Sequence, residues 1–138
     1  MVDLSSSLAG LLSFVIYFAI SLVMLVVFKY AYTFITPHDE WKLVKDGNNT
    51  AAALGLVGAV VGFALALASA AANSVGLVDF VIWGIVALIA QVLAFALVRF
   101  LLMPRIVQRI NDNEIPAGVV LCGVSIAVGL LNAACMTY

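Results

Sequence analysis

Four long apolar stretches, separated by short polar segments, make up most of the chain. They run from about Leu8 to Phe28, from Ala51 to Ala72, from Phe80 to Val98 with an apolar continuation to Met103, and from Ala117 to Tyr138. Each stretch is close to the roughly 20 residues that an α-helix needs to cross about 30 Å of hydrocarbon. A membrane strand would need only about 10 residues of alternating pattern. The pattern therefore predicts an all-α, polytopic membrane protein with four transmembrane helices.

Composition favours a membrane protein over a soluble domain. Of the 138 residues, 66% are hydrophobic and 9% are charged, whereas a soluble domain has about a quarter charged residues. A chain of this size cannot bury so much apolar surface within itself, so the remainder has to face the lipid bilayer. The net charge of −1 provides no basic surface for nucleic acid. No nucleic-acid partner is expected.

The basic residues are confined to the first and third connections between the apolar stretches. They are Lys29, Lys42, Lys45, Arg99, Arg105 and Arg109. The N-terminal tail, the turn near residues 73–78 and the C-terminus contain none. Basic residues in short loops stay in the cytoplasm, so we expect both of these connections there and both termini on the outer side of the membrane. Lys29 and Arg99 are placed to extend their charged groups to the inner headgroups.

The second half of the chain resembles the first at an offset of 65 to 67 residues. Phe14–Tyr17 corresponds to Phe80–Trp83, and a proline begins each cytoplasmic segment, at Pro37 and Pro104. We interpret residues 1–73 and 74–138 as two transmembrane hairpins in tandem with the same orientation. Parallel repeats occur in transporters, but duplication of a stable hairpin leaves the same pattern. The repeat alone does not decide between transport and a structural role.

Each cytoplasmic connection is predicted to contain a short interfacial helix. Thr36–Asp39 is a variant of a helix-capping box, and the turn after it places Trp41 on an apolar side. Asn48–Thr50 can cap the second membrane helix. In the other connection, Arg105 and Arg109 alternate with apolar residues. His38 beside two carboxylates lacks the spacing of a metal site, so neither a metal nor another cofactor is predicted.

Small and polar residues recur every three or four positions in the second and fourth stretches, which places each set on one helix face. The first set is Gly55, Gly58, Gly62, Ala66, Ser69 and Asn73, and the second is Gly118, Cys122, Ser125, Gly129, Asn132 and Met136. Membrane helices associate through close backbone approach and polar contacts, so both faces are expected to point inward. The opposite face of the fourth helix is also small, at Gly123, Ala127 and Ala134. We expect this helix to be the most enclosed or to face another subunit.

Gln91 lies at the middle of the third apolar stretch, where only protein can satisfy its amide. A bond to Ser21 or Ser125 would contribute about 0.6–2 kcal/mol. Gln91 is either a packing contact or part of the polar lining of a permeation path. Asn73 and Asn132 lie nearer the outer surface and are expected to make hydrogen bonds at helix ends, with a polar solute site as the alternative. No ionisable residue lies in the middle of a span and no nucleophile has a neighbouring base. No catalytic residue is therefore predicted, and the protein is not expected to be an enzyme.

Three segments resemble a known family. Thr36–Trp41, Asn48–Ala52 and Asn132–Tyr138 are similar, in this order, to YjfL-like bacterial inner-membrane proteins, the domain-of-unknown-function family 350. The resemblance covers essentially the whole chain and implies a multi-pass protein of the bacterial inner membrane with two hairpins. It implies no activity, because the family is defined by unknown function.

The sequence as a whole favours a non-catalytic membrane component. We expect it to form a homo-oligomer, a dimer or larger, or to bind a membrane-protein partner, with a role in envelope maintenance. On this view, Gly58→Leu or Gly129→Leu would disrupt assembly. The alternative is a small channel or carrier formed by an oligomer and lined by Gln91, Ser125 and Asn132.

Overall fold

The computed structural model describes residues 4–36 and 40–136, and these residues form a bundle of helices. In chain order the helices are α1 (Leu4–Ile35), α2 (Glu40–Lys45), α3 (Thr50–Asn73), α4 (Leu77–Leu97), α5 (Ile106–Asn111) and α6 (Ile115–Cys135). Four of them, α1, α3, α4 with its continuation, and α6, are long and apolar enough to cross a membrane. The predicted fold class is confirmed. Three residues of the predicted capping box, Pro37–Asp39, lie outside the described residues.

The centre of the bundle is the contact between α3 and α6. A Cβ atom at Gly58 would lie 2.5 Å from Cα of Cys122, and one at Gly118 would lie 2.7 Å from Cα of Ala51. Glycine at these positions therefore allows the two backbones to approach closely, as membrane helices commonly do. Within an apolar segment of 18 residues in each helix, 56% of the residues of α3 are buried but only 22% of those of α6. Of the two alternatives for the fourth membrane helix, the one that makes it the most enclosed is wrong, because only one of its faces is covered. The other, that it faces another subunit, stays a prediction.

Aromatic side chains hold α1 against the other helices. Phe28 stacks on Phe63 of α3 with 4.4 Å between ring centroids, and Tyr32 meets Phe95 of α4 edge-on at 6.2 Å. Phe28 and Tyr32 are the buried residues of α1, and most of its remaining side chains are exposed. Such exposure fits a helix that faces lipid along most of its surface. α1 is also longer than the predicted stretch Leu8–Phe28, with 32 residues or about 48 Å.

A π-helical turn, Val98–Leu102, continues α4 and was not predicted from the sequence. Met103 N–H closes the turn by donating to the carbonyl of Val98 at 2.6 Å. Pro104 follows and cannot donate a backbone hydrogen bond, which ends the helix. Arg99 lies within this turn, with its guanidinium carbon 5.4 Å from the Phe100 ring centroid.

The first and third connections bind each other at one end of the bundle, called here the basic end. Asn49 caps α3 by accepting a hydrogen bond from Ala52 N–H at 2.8 Å, and its Nδ2 donates to the carbonyl of Ile110 at 2.7 Å. In return, Asn113 Oδ1 accepts from Ala51 N–H at 3.0 Å. The predicted cap is thus found at Asn49. Through its bond to Ile110, Asn49 also connects α3 to the last turn of α5.

Candidate functional site

Polar side chains inside the bundle meet where α3, α4 and α6 pass one another. Gln91 and Ser125 have no exposed surface. Gln91 Nε2 donates to the backbone carbonyl of Ser125 at 3.1 Å, and a Cβ atom at Gly62 would lie 2.6 Å from the same nitrogen. The absence of a side chain at Gly62 therefore leaves room for the amide. Gln91 links α4 to α6 beside the backbone of α3.

Two polar atoms of this central contact, Gln91 Oε1 and Ser125 Oγ, are buried without a hydrogen-bond partner among residues 4–36 and 40–136. Polar groups left unsatisfied in a hydrocarbon environment are costly. Ser21, the other partner considered for Gln91, instead donates to the carbonyl of Tyr17 within α1 at 2.7 Å. Because Gln91 and Ser125 are enclosed by their own chain, the structure disfavours a pore lined by these two side chains.

A second polar cluster lies at the end of the bundle opposite α2 and α5. Ser69 Oγ of α3 donates to the carbonyl of Ala133 of α6 at 2.8 Å. Asn73 Nδ2 donates to the carbonyl of Ser69 at 2.9 Å, within α3. Asn132 Nδ2 is buried and has no partner in the described part of the chain. Ser69 thus provides a link between helices, whereas Asn73 bonds locally at a helix end.

The structure brings the whole predicted packing set into the contact between α3 and α6. The set comprises Gly55, Gly58, Gly62 and Ser69 of α3 and Gly118, Ser125 and Gly129 of α6. A Cβ atom at Gly55 would lie 2.8 Å from Cδ2 of Leu121, and one at Gly129 would overlap the backbone of Gly62. At these positions the two backbones leave no room for a solute between them. Gly58 and Gly129 therefore pack within a single chain.

The second small face of α6 points away from the bundle. This outer face of α6 comprises Val119, Gly123, Ala127, Leu130 and Ala134, which lie at helical spacing and are all exposed. No atom outside the local helix backbone lies within 4 Å of a Cβ built at Gly123. The face combines small residues at its middle with larger apolar residues beside them, and none of the other described helices covers it.

Lys29 lies in an aromatic environment at the basic end. Its Nζ is 4.2 Å from the centroid of the Tyr30 ring and 4.5 Å from that of the Trp41 ring. Both distances fall within the range of cation–π attraction. The long lysine side chain thus extends from α1 to α2. This contact was missed, although both residues were assigned to the interface, because it joins two helices separated by a loop.

The arginines of the basic end have different surroundings. Arg109 Nε lies 3.3 Å from Glu114 Oε2, and both side chains are partly exposed. Arg105 is exposed. An exposed ion pair of this type contributes about 0–1 kcal/mol. Together with Lys29, Lys42, Lys45 and Arg99, these residues surround the end of the bundle that contains α2 and α5.

The described residues contain no group of three or more His, Cys, Asp or Glu side chains that could hold a metal ion. Cys122 and Cys135 are free thiols. The polar side chains described above therefore either form contacts between helices or belong to the charged surface of the basic end.

Comparisons with known proteins assign the chain to a family. The family described as Domain of Unknown Function (DUF350) matches residues 6–136. The chain is 44% identical over 131 residues to the UPF0719 inner membrane protein YjfL of Escherichia coli strain K12, covering 95% of this chain and 98% of the relative. The protein of the same name from Escherichia coli O157:H7 has the same identity and coverage. No solved structure matches the chain. The chain belongs to the DUF350 family and is an inner membrane protein, with four helices that are long and apolar enough to span the membrane.

Proposed function

We propose that this inner membrane protein is a non-catalytic component of the envelope that assembles with itself through the outer face of α6. The observation that carries this proposal is the open surface at Gly123, where a Cβ atom would meet no atom of another described helix within 4 Å. The proposed assembly is a dimer whose two-fold axis lies along the membrane normal, or a larger ring.

Within a helix, glycine is about 1 kcal/mol less favourable than alanine, and lipid gains nothing from a missing side chain. Glycine helps where another backbone approaches, as Gly58 does against Cys122. Gly123 lies at the middle of an uncovered face with Ala127 one turn away. A helix from a second copy can approach α6 there as α3 does on the other side.

Burial inside the bundle supports a closed structure over a channel. Gln91 and Ser125, two of the three residues expected to line an oligomeric pore, have no exposed surface in one chain. Packing copies side by side through α6 would leave both enclosed. The channel alternative would therefore need a different lining, and no exposed polar face in the middle of a described span offers one.

The distribution of charge supports a defined orientation. Lys29, Arg99 and the short helices α2 and α5 lie at the same end of the bundle. Because basic residues of short loops remain in the cytoplasm, we infer that the basic end is cytoplasmic and that both termini are periplasmic. The outer face of α6 then lies within the membrane in every copy, with parallel orientation. In that arrangement a second copy of the chain can present the outer face of its own α6 to the outer face of α6 in the first.

Cysteine cross-linking in native membranes tests the proposal. In a background with Cys122→Ala and Cys135→Ser, Ala127→Cys is expected to form a disulfide-linked dimer on oxidation, because an isologous contact places the two copies of a residue near the axis together. The control is Ala19→Cys, an exposed residue of α1, which is expected to remain monomeric. Equal cross-linking at both positions, or none at Ala127→Cys, would contradict assembly through α6.

A further inference from the structure

A shallow groove of about 450 Å³ lies between α4 and α6 on the outside of the bundle. Its lining includes Ala90, Ala94 and Leu97 of α4, Phe100 and Leu101 of the π-helical turn, and Val128 of α6. Ala94 is buried, whereas Leu97, Phe100 and Leu101 are exposed. The short alanines leave space beside these larger side chains, so the groove is an apolar surface open to the surrounding lipid.

The groove lies in the half of the membrane nearer to the basic end. The apolar segment formed by α4 and its continuation is Leu77–Leu102, and the groove begins halfway along it, at Ala90, and extends to Leu101. The bond between Gln91 and Ser125 fixes the register of α4 against α6. Val128 is three residues from Ser125 and thus within about 5 Å of that level. Both helices therefore place the far end of the groove near the middle of the membrane.

A positive charge lies at the other end of the groove. Arg99 belongs to the same π-helical turn as Phe100, and its guanidinium carbon is 5.4 Å from the centroid of that ring. No acidic side chain of the described residues forms an ion pair with Arg99, whereas Arg109 pairs with Glu114. The Arg99 guanidinium thus has donors available for an anion beside an apolar surface.

The length of the groove matches one leaflet of a bilayer. From Ala90 to Leu101 the helix rises about 16 Å at 1.5 Å per residue. The hydrocarbon core of a membrane is about 30 Å thick, so one leaflet contributes about 15 Å. A lipid tail that begins at the level of Arg99 would therefore end near Ala90.

We propose that this surface binds one anionic phospholipid of the leaflet at the basic end, with its phosphate at Arg99 and one acyl chain in the groove. A planar guanidinium can donate two parallel hydrogen bonds to phosphate oxygens. Arg105 is exposed six residues further along the chain and raises the local positive potential, which favours a headgroup of net negative charge over a zwitterionic one. The site does not depend on self-association, because α4 and α6 belong to one chain and Val128 is not part of the outer face of α6.

Native mass spectrometry of the purified full chain tests the headgroup part. The protein is equilibrated with equal amounts of phosphatidylglycerol and phosphatidylcholine, and the ratio of the two bound lipids is measured. Wild type is expected to retain more phosphatidylglycerol, and Arg99→Gln is expected to lower that ratio at least threefold. Lys45→Gln, which removes the same charge from an exposed position on α2, is the matched control and is expected to keep most of the preference. No preference in wild type, equal losses in both variants, or no loss in Arg99→Gln would overturn the proposal.

Photolabelling in lipid nanodiscs tests the acyl-chain part. Phosphatidylglycerol with a diazirine midway along one acyl chain is expected to label the segment from Ala90 to Leu101 at least threefold more than the exposed surface of α1. Ala90→Phe places a large side chain in the groove and is expected to lower this labelling at least threefold. Ala19→Phe makes the same substitution on the exposed surface of α1, outside the groove lining, and is expected to leave labelling of the groove unchanged. Even labelling of α1 and α4 in wild type, or undiminished labelling of Ala90→Phe, would overturn the site as proposed.

Discussion

Gln91 donates a hydrogen bond from its side-chain amide to the backbone carbonyl of Ser125, across 3.1 Å in the middle of the bundle. The contact joins α4 to α6, and Gly62 of α3 lies against the same amide. Three of the four long helices therefore meet at one buried polar group. The fourth, α1, is held by the aromatic contacts of Phe28 and Tyr32.

Gln91 is expected to matter more for its volume than for its polarity. Gln91→Met keeps the length of the side chain, and the lost N–H bond is offset by removal of Oε1, which has no partner in the described residues. We expect a change of less than about 1 kcal/mol in the free energy of unfolding. Gln91→Ala leaves a cavity and is expected to cost about 2–5 kcal/mol. Unfolding in mixed detergent micelles measures both, and equal losses would show that the amide itself dominates.

Gly58 is expected to be required for the fold of a single chain. A Cβ atom there would lie 2.5 Å from the backbone of Cys122, so Gly58→Ala forces α3 and α6 apart and costs about 1–3 kcal/mol or more. Gly10→Ala is the matched control, because its Cβ would meet nothing within 4 Å. Alanine there is expected to be neutral or to stabilise the helix by up to about 1 kcal/mol. Thermal unfolding that shows the same stability for Gly58→Ala and wild type would refute this packing.

Asn49 is expected to stabilise two elements at once. Asn49→Ala removes both the cap of α3 and the bond to Ile110, and we expect a loss of about 1–3 kcal/mol. Asn49→Ser keeps a capping oxygen but cannot donate to Ile110, so about half of that loss is expected. Amide hydrogen exchange separates the two effects, because the Ala52 N–H should stay protected in the serine variant and exchange faster in the alanine variant. Fast exchange in both variants would exclude capping by serine.

The orientation is expected to follow the charges. In the cysteine-free background, Val75→Cys lies in the turn between α3 and α4 and is 90% exposed, so a membrane-impermeant maleimide should label it in intact spheroplasts. Asp46→Cys, at the basic end, should be labelled only after the membrane is permeabilised. The opposite labelling pattern would reverse the proposed topology while leaving the fold unchanged.

The sequence predicted the helix faces well where the pattern depends on close backbone approach. Glycine at steps of three and four residues has a direct structural meaning in lipid, and Gly58 and Gly118 lie in the contact between α3 and α6. The pattern does not specify which partner each face meets. For that reason the sequence alone could not distinguish Gly123, which is uncovered, from Gly58, which is enclosed.

Other features of the structure leave no recognisable pattern in the nearby sequence. The first apolar stretch was predicted to end at Phe28, but α1 continues to Ile35. The long side chain of Lys29 reaches Trp41 while the backbone stays helical. The π-helical turn Val98–Leu102 is apolar on nearly all sides, so periodicity cannot distinguish it from an α-helical turn. The acceptor for Gln91 is a backbone carbonyl, which residue types do not reveal.

The most direct test of self-association is the mass of the native assembly, measured by native mass spectrometry from lipid nanodiscs. The chain has a mass of 14.5 kDa, and we predict an assembly of two or more times that mass for wild type. For Gly123→Leu, whose side chain would block the outer face of α6, we predict a shift towards the single-chain mass. A wild-type protein that is monomeric in lipid would contradict assembly through α6.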